Sequence, residues 1–67
     1  MTTIFPPREC RVLEGLWRGL SQVEVAALLG LSVHTVRAYS HRARQRAGAQ
    51  TTIGAIRVAV QQGVLIP

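Results

Sequence analysis

The sequence predicts an all-α fold: a four-helix domain built around a helix-turn-helix, on three observations. Between its glycines, apolar residues recur every three or four positions rather than alternately, the spacing of helices and not of strands. Hydrophobic residues make up 48% of the 67 positions but aromatics only 4%, namely Phe5, Trp17 and Tyr39. Such an aliphatic, alanine-rich core suits packed helices better than a sandwich or barrel. The stretch from Ser21 to Gly48 then reads as a short helix, a glycine turn and a longer basic helix.

Taken in order, residues 1–6 form an N-terminal arm and residues 7–67 the folded domain. Pro6 and Pro7 set the entry to helix α1, expected from about Pro7 to Arg18, since proline is tolerated only in the first helical turn. Val12, Leu13, Leu16 and Trp17 share its apolar stripe, with Trp17 a core anchor, and Gly19 followed by Leu20 stops it. Helix α2 spans Gln22 to Leu29. Ser21 and Glu24 have the spacing of a capping box, in which each side chain satisfies a backbone N–H that the helix start leaves free. Gly30 ends α2 in a left-handed turn, Leu31 plugs the corner and Ser32 caps α3, expected from about Val33 to Ala47.

Gly48 ends α3, and Thr51 or Thr52 caps α4, which runs to about Gln62. Ile53, Ile56 and Val60 are its expected core stripe. A second side carrying Ala55, Val58, Ala59 and Gln62 is more apolar than a surface needs, and its small residues would let a second copy approach, so it reads as a dimer contact. Gly63 stops the helix, and Val64, Leu65 and Ile66 fold back as an apolar tail.

The charge is distributed unevenly along this frame. Net charge is +5, from eight arginines, no lysine and three glutamates. All three acids, Glu9, Glu14 and Glu24, precede residue 25, and the remainder holds five arginines and two histidines with no acid to offset them. That asymmetry points to a polyanionic partner. Cys10 stands alone, which excludes an intrachain disulfide and a multi-cysteine metal site. No paired carboxylates accompany a histidine and no phosphate-binding glycine loop is present, so an enzyme, a cofactor and a metal are not expected. No apolar run reaches the ~20 residues of a membrane span and the N-terminus lacks a signal peptide's pattern, so the expected location is cytoplasmic.

Helix α3 is the candidate reader. At ~100° per residue, Val36, Ser40, Ala43 and Ala47 fall on one narrow, small-residue side that packs inward. His34, Arg37, Ala38, His41 and Gln45 occupy the opposite side, with Arg42 and Arg46 on one edge and Arg44 on the other. Short side chains toward base edges, flanked by guanidinium groups where phosphates would pass, suit the major groove of a duplex.

Nearly the whole chain resembles the LuxR-type DNA-binding domain, the four-helix module of many bacterial quorum-sensing and response-regulator proteins. The carriers are PRECRVL at 7–13, GLSQVEVAALLGLSVHTVR at 19–37, AG at 47–48, AI at 55–56 and GVLI at 63–66. Region 4 of sigma factors shares much of the middle block; the fourth helix and the closing GVLI favour the LuxR type. The chain departs from the family pattern at Pro6, where a Thr or Ser cap is usual, and at Ile53 and Gly54, in place of a Thr-Glu pair. Ser40, Ala43, Arg44 and Ala47 stand where bulky apolar residues are usual, which predicts looser packing of α3. No segment ahead of residue 5 is long enough for a receiver or ligand-binding domain, so the domain is expected to stand without a sensory half.

The resemblance implies a sequence-specific, double-stranded DNA-binding transcription regulator, expected as a homodimer through α4 on an inverted-repeat operator. By the same resemblance Arg37, Ala38 and His41 reach base edges, while Thr35 and the start of α3 approach phosphate. Arg37 can pair bidentately with guanine and Ala38 can meet a thymine methyl. Ser21, Ser32 and Thr35 lie at helix N-termini that favour phosphate, with His34 beside them. Arg42, Arg44 and Arg46 add sequence-independent attraction. Without a sensory half, a small repressor or autoregulator set by its own concentration is expected, with a LuxR-type regulator or RNA polymerase as protein partners. The alternative is an interaction module that pairs with and antagonises a full-length LuxR-type regulator.

Overall fold

Helix α1 begins where its prolines allow it to begin. In a computed structural model that describes residues 3–65, it spans Pro7–Trp17, with Pro6 at the cap position and no side chain accepting from the first turn. The acidic Glu9 in that turn complements the helix dipole instead. Helix α2 spans Gln22–Leu29, α3 Val33–Ala47 and α4 Thr52–Gln61. Among the described residues no helix is long and apolar enough to cross a membrane.

The local signals at the helix-turn-helix are all used. The Ser21 hydroxyl accepts from the Glu24 N–H at 3.1 Å, and the Glu24 carboxylate accepts from the Ser21 N–H at 2.9 Å. Gly30 sits at φ +68°, a conformation that costs other residues ~1 kcal/mol or more, and lets the Leu31 N–H return to the Ala26 carbonyl at 2.9 Å. Leu31, half-buried, packs against the core at this corner. Ser32 caps α3 by accepting from the Thr35 N–H at 3.0 Å.

Two apolar clusters hold the helices. Val12, Val25, Ala26 and Val36 join α1, α2 and α3. Phe5, Leu13, Ala43, Ala55, Ala59 and Leu65 join α1, α3 and α4. Val12 and Leu13 are neighbours in sequence yet enter different clusters, so α1 is a wall common to both. Gly15 leaves room for α2 to pack tightly on that wall, since a Cβ there would lie 2.8 Å from Val25 Cγ2.

Three expectations need correcting. Phe5, assigned to an arm, is 1% exposed and among the largest fully buried side chains; only residues 1 and 2 of that arm lie outside the described residues. Helix α4 is rotated from its expected orientation. Ile53 is 69% exposed, Ile56 and Val60 are half-buried, and the supposed dimer-face residues Ala55 and Ala59 are fully buried. Val58 is half-buried against the same core, and of the four Gln62 alone lies exposed, accepting from the Thr3 hydroxyl at 3.2 Å. Small residues allow two helix backbones to approach closely, so the inward side of α4 is set by volume rather than by hydrophobicity. Ala43 of α3 meets Ala55 and Ala59 there, and Phe5 and Leu65 supply the missing bulk from outside the helices. The two small faces are pinned by a half-buried hydroxyl pair, Ser40 and Thr52 at 3.1 Å, just inside the start of α4, where the Thr51 hydroxyl accepts from the Gly54 N–H at 3.0 Å. Of the apolar tail, Val64 is half-buried and Leu65 buried, and Ile66 lies outside the described residues.

Candidate nucleic-acid interface

Helix α3 carries no acid along its 15 residues, about 22 Å, and its inward side is the expected one: Val36, Ser40 and Ala43 are buried and Ala47 packs at the edge. That leaves His34, Arg37, His41, Arg42 and Gln45 exposed and Ala38 half-buried between them. Gly48, at φ +66°, stops the helix.

Neighbouring elements aim these side chains. Arg37 Nε donates to Gln22 Oε1 at 3.1 Å, across from the first residue of α2. The bond occupies one of the five guanidinium donors and leaves the terminal Nη pair free for a bidentate acceptor. His41 Nδ1 lies 3.2 Å from Arg44 Nη2. A guanidinium only donates, so Nδ1 is the acceptor and the imidazole proton sits on Nε2, a donor available to a base or phosphate. Arg44 itself is half-buried, and its Nε is buried without a partner.

Arg42 stacks over the Tyr39 ring, 5.6 Å from Cζ to centroid, while the Tyr39 hydroxyl accepts from Arg8 Nη1 of α1 at 3.2 Å. That hydrogen bond raises the Arg8 guanidinium further above its ordinary value. Tyr39 is thus a half-buried post against which two exposed cations lean.

The second arginine on the Arg42 edge has a different occupation. Arg46 Nε donates to both oxygens of Glu9, at 2.9 and 3.1 Å, and Glu9 is only 2% exposed. Arg46 was expected to be free for phosphate, but a buried carboxylate needs a cation, and the pair ties the end of α3 to the start of α1. Ser21, Ser32 and Thr35 stand at the N-termini of α2 and α3, their hydroxyls engaged in caps, with Ser32 and Thr35 Oγ atoms 2.9 Å apart.

Sequence reasoning missed Gln22 and Glu9. Glu9 had a signal: it shares the i, i+3, i+4 stripe with Val12 and Leu13, which places an acid on the inward side of α1. Gln22 had none, because its role depends on where α2 crosses α3. Among the described residues no three His, Cys, Asp or Glu side chains gather as metal ligands. The sequence pattern of a family described as bacterial regulatory proteins, luxR family, matches residues 3–59. No curated protein matches the chain.

Proposed function

The chain belongs to the luxR family of bacterial regulatory proteins, DNA-binding transcription regulators rather than enzymes, and from that premise we propose that it reads a specific duplex sequence with α3 in the major groove. The observation that carries this reading is the acid-free outer face of α3, with Arg37 held by Gln22 so that its Nη pair is presented outward.

In this reading Arg37 pairs with a guanine, Ala38 meets a thymine methyl and His41 donates from Nε2. His34, Thr35, Ser32 and Ser21 lie along the phosphates at the N-terminal ends of α3 and α2, where partial positive charge and free N–H groups favour anions. Arg42, braced on Tyr39, and Arg44 supply attraction from the two edges. Arg46 serves first as counter-ion to Glu9. Two copies pair through the outer side of α4, where Ile53, Arg57 and Gln61 are exposed, and place their α3 helices about one helical turn apart on an inverted repeat. In this reading the protein acts in the cytoplasm as a transcriptional repressor.

Selection of bound duplexes from a random pool tests the reading. An inverted repeat with half-sites roughly 10 base pairs apart is the expected product. No enriched motif at low salt would overturn sequence-specific binding, and a single unpaired half-site would overturn the dimer. The competing reading, an interaction module that pairs with a full-length LuxR-type regulator, is favoured only by exposed Ile53 on α4 and predicts the first of those failures.

A further inference from the structure

An open groove with a leucine floor and a basic rim runs between α1 and the C-terminal half of α2, and meets α3 where Arg8 Nη1 donates to the Tyr39 hydroxyl. The channel comprises two half-open depressions, about 370 and 340 Å³, with Arg11 and Leu29 lining both. We infer that this channel docks an acidic amphipathic helix from a partner protein, on a surface that touches α3 through Arg8 and Tyr39 but does not include Arg37, Ala38 and His41.

The floor and the rim carry different parts of the argument. Leu29 and Leu31 are half-buried, and Leu28 is 71% exposed on a helix whose other core positions, Val25 and Ala26, are already filled. Nothing in the fold uses Leu28. Along α1, Arg8, Arg11 and Arg18 lie on one stripe with Gly15, at intervals of three, four and three residues, which is helical spacing. Gly15 sits against Val25, so the arginines flank the seam between the helices rather than pointing away from it.

The rim is under-neutralised. Of the three acids, Glu9 is committed to Arg46 and Glu24 to the α2 cap. Glu14 lines the channel too, but reaches only Arg18, at 3.9 Å between groups that are both mostly in solvent. Arg8 and Arg11 face no carboxylate among the described residues.

Duplex DNA is the other polyanion that three arginines could attract. Its phosphates would satisfy the rim, yet they are strongly hydrated and would leave Leu28 exposed. A helix with a leucine stripe and acidic flanks satisfies both features, the usual arrangement when an amphipathic helix lies in a groove. From Arg8 to Arg18 the rim runs about 15 Å, which matches three turns of such a helix. Charge complementarity there would set orientation and speed of encounter, and the leucines the residence time.

The probe is a synthetic helical peptide of about 14 residues with leucines at i, i+3, i+4 and i+7 and glutamates elsewhere, titrated into isotope-labelled protein and followed by amide shifts. Shifts centred on Arg11, Leu28 and Leu29 are expected. Leu28→Ser and Arg11→Glu should each weaken the peptide by ~10-fold or more. Both residues are exposed, so circular dichroism should show unchanged helix content. Leu28→Ser should leave duplex binding unaltered. Three results would overturn the inference: no saturable binding, shifts centred on α3 and indifferent to Leu28→Ser, or displacement of the peptide by duplex DNA with shifts of its own at Arg11 and Leu29.

Discussion

Glu9 shows how one residue ties the site to the fold. A carboxylate 2% exposed is tolerated because Arg46 reaches it with two charge-assisted bonds, and α1 and α3 are joined as a consequence. Removing only the cation strands the acid, so Arg46→Ala should cost ~3 kcal/mol, the lower end for a broken buried pair because Arg46 is itself 44% exposed. Denaturant melts check this, and a change under ~1 kcal/mol would mean the pair is solvated. Gln22 makes the complementary case for specificity. Gln22→Ala frees Arg37 Nε and should relax preference at the base pair that Arg37→Ala also relaxes, with the fold intact. Selected-site profiles of the two variants should lose information at the same position; losses at different positions would separate Gln22 from Arg37.

The elements add constraints that no single residue shows. Helix α2 is only eight residues long, too short to be stable alone, and relies on its cap and on packing. Hydrogen bonds from the Ser21 N–H, and then from its hydroxyl, hold the Glu24 carboxyl below its ordinary value. A depressed carboxyl stabilises the fold above its unfolded value and loses that contribution as pH falls through the folded one. The acid-induced drop in Tm should therefore be larger for the unmodified chain than for Glu24→Gln, which keeps the box without the charge; equal drops would mean the Glu24 charge contributes nothing. Helix α4 gives a test of its rotation. Ala59→Arg should unfold the domain by forcing a charge into the core. Ile53→Arg should leave it folded and, in the proposed dimer, monomeric by sedimentation.

At the scale of the whole molecule, charge separates from packing. Five arginines and two histidines after residue 25 have no acid among them, and Glu9 neutralises only Arg46. Duplex affinity should fall steeply with salt. Arg42→Ala should lower the log–log slope by ~0.9 for the one phosphate contact it removes. Measurement across a salt series on specific and random duplexes checks this, with the same slope change expected on both.

Much of this fold can be read directly from the chain because its signals are local. Helix starts at Ser21 and Ser32 and stops at Gly30 and Gly48 involve residues within five positions of one another, so backbone chemistry alone decides them. The inward side of α3 followed for the same reason, since its small residues repeat at helical spacing. What the chain could not reveal were properties of distant partners. Ile53 and Ala55 lie two residues apart on one helix, and which of them turns inward depends on Ala43 and on how closely two backbones can approach. Phe5 is core because, with Leu65, it packs against the small buried residues of α3 and α4. Whether Arg46 is a free cation or a counter-ion depends on Glu9, 37 residues away, and that distance closes only when the helices pack.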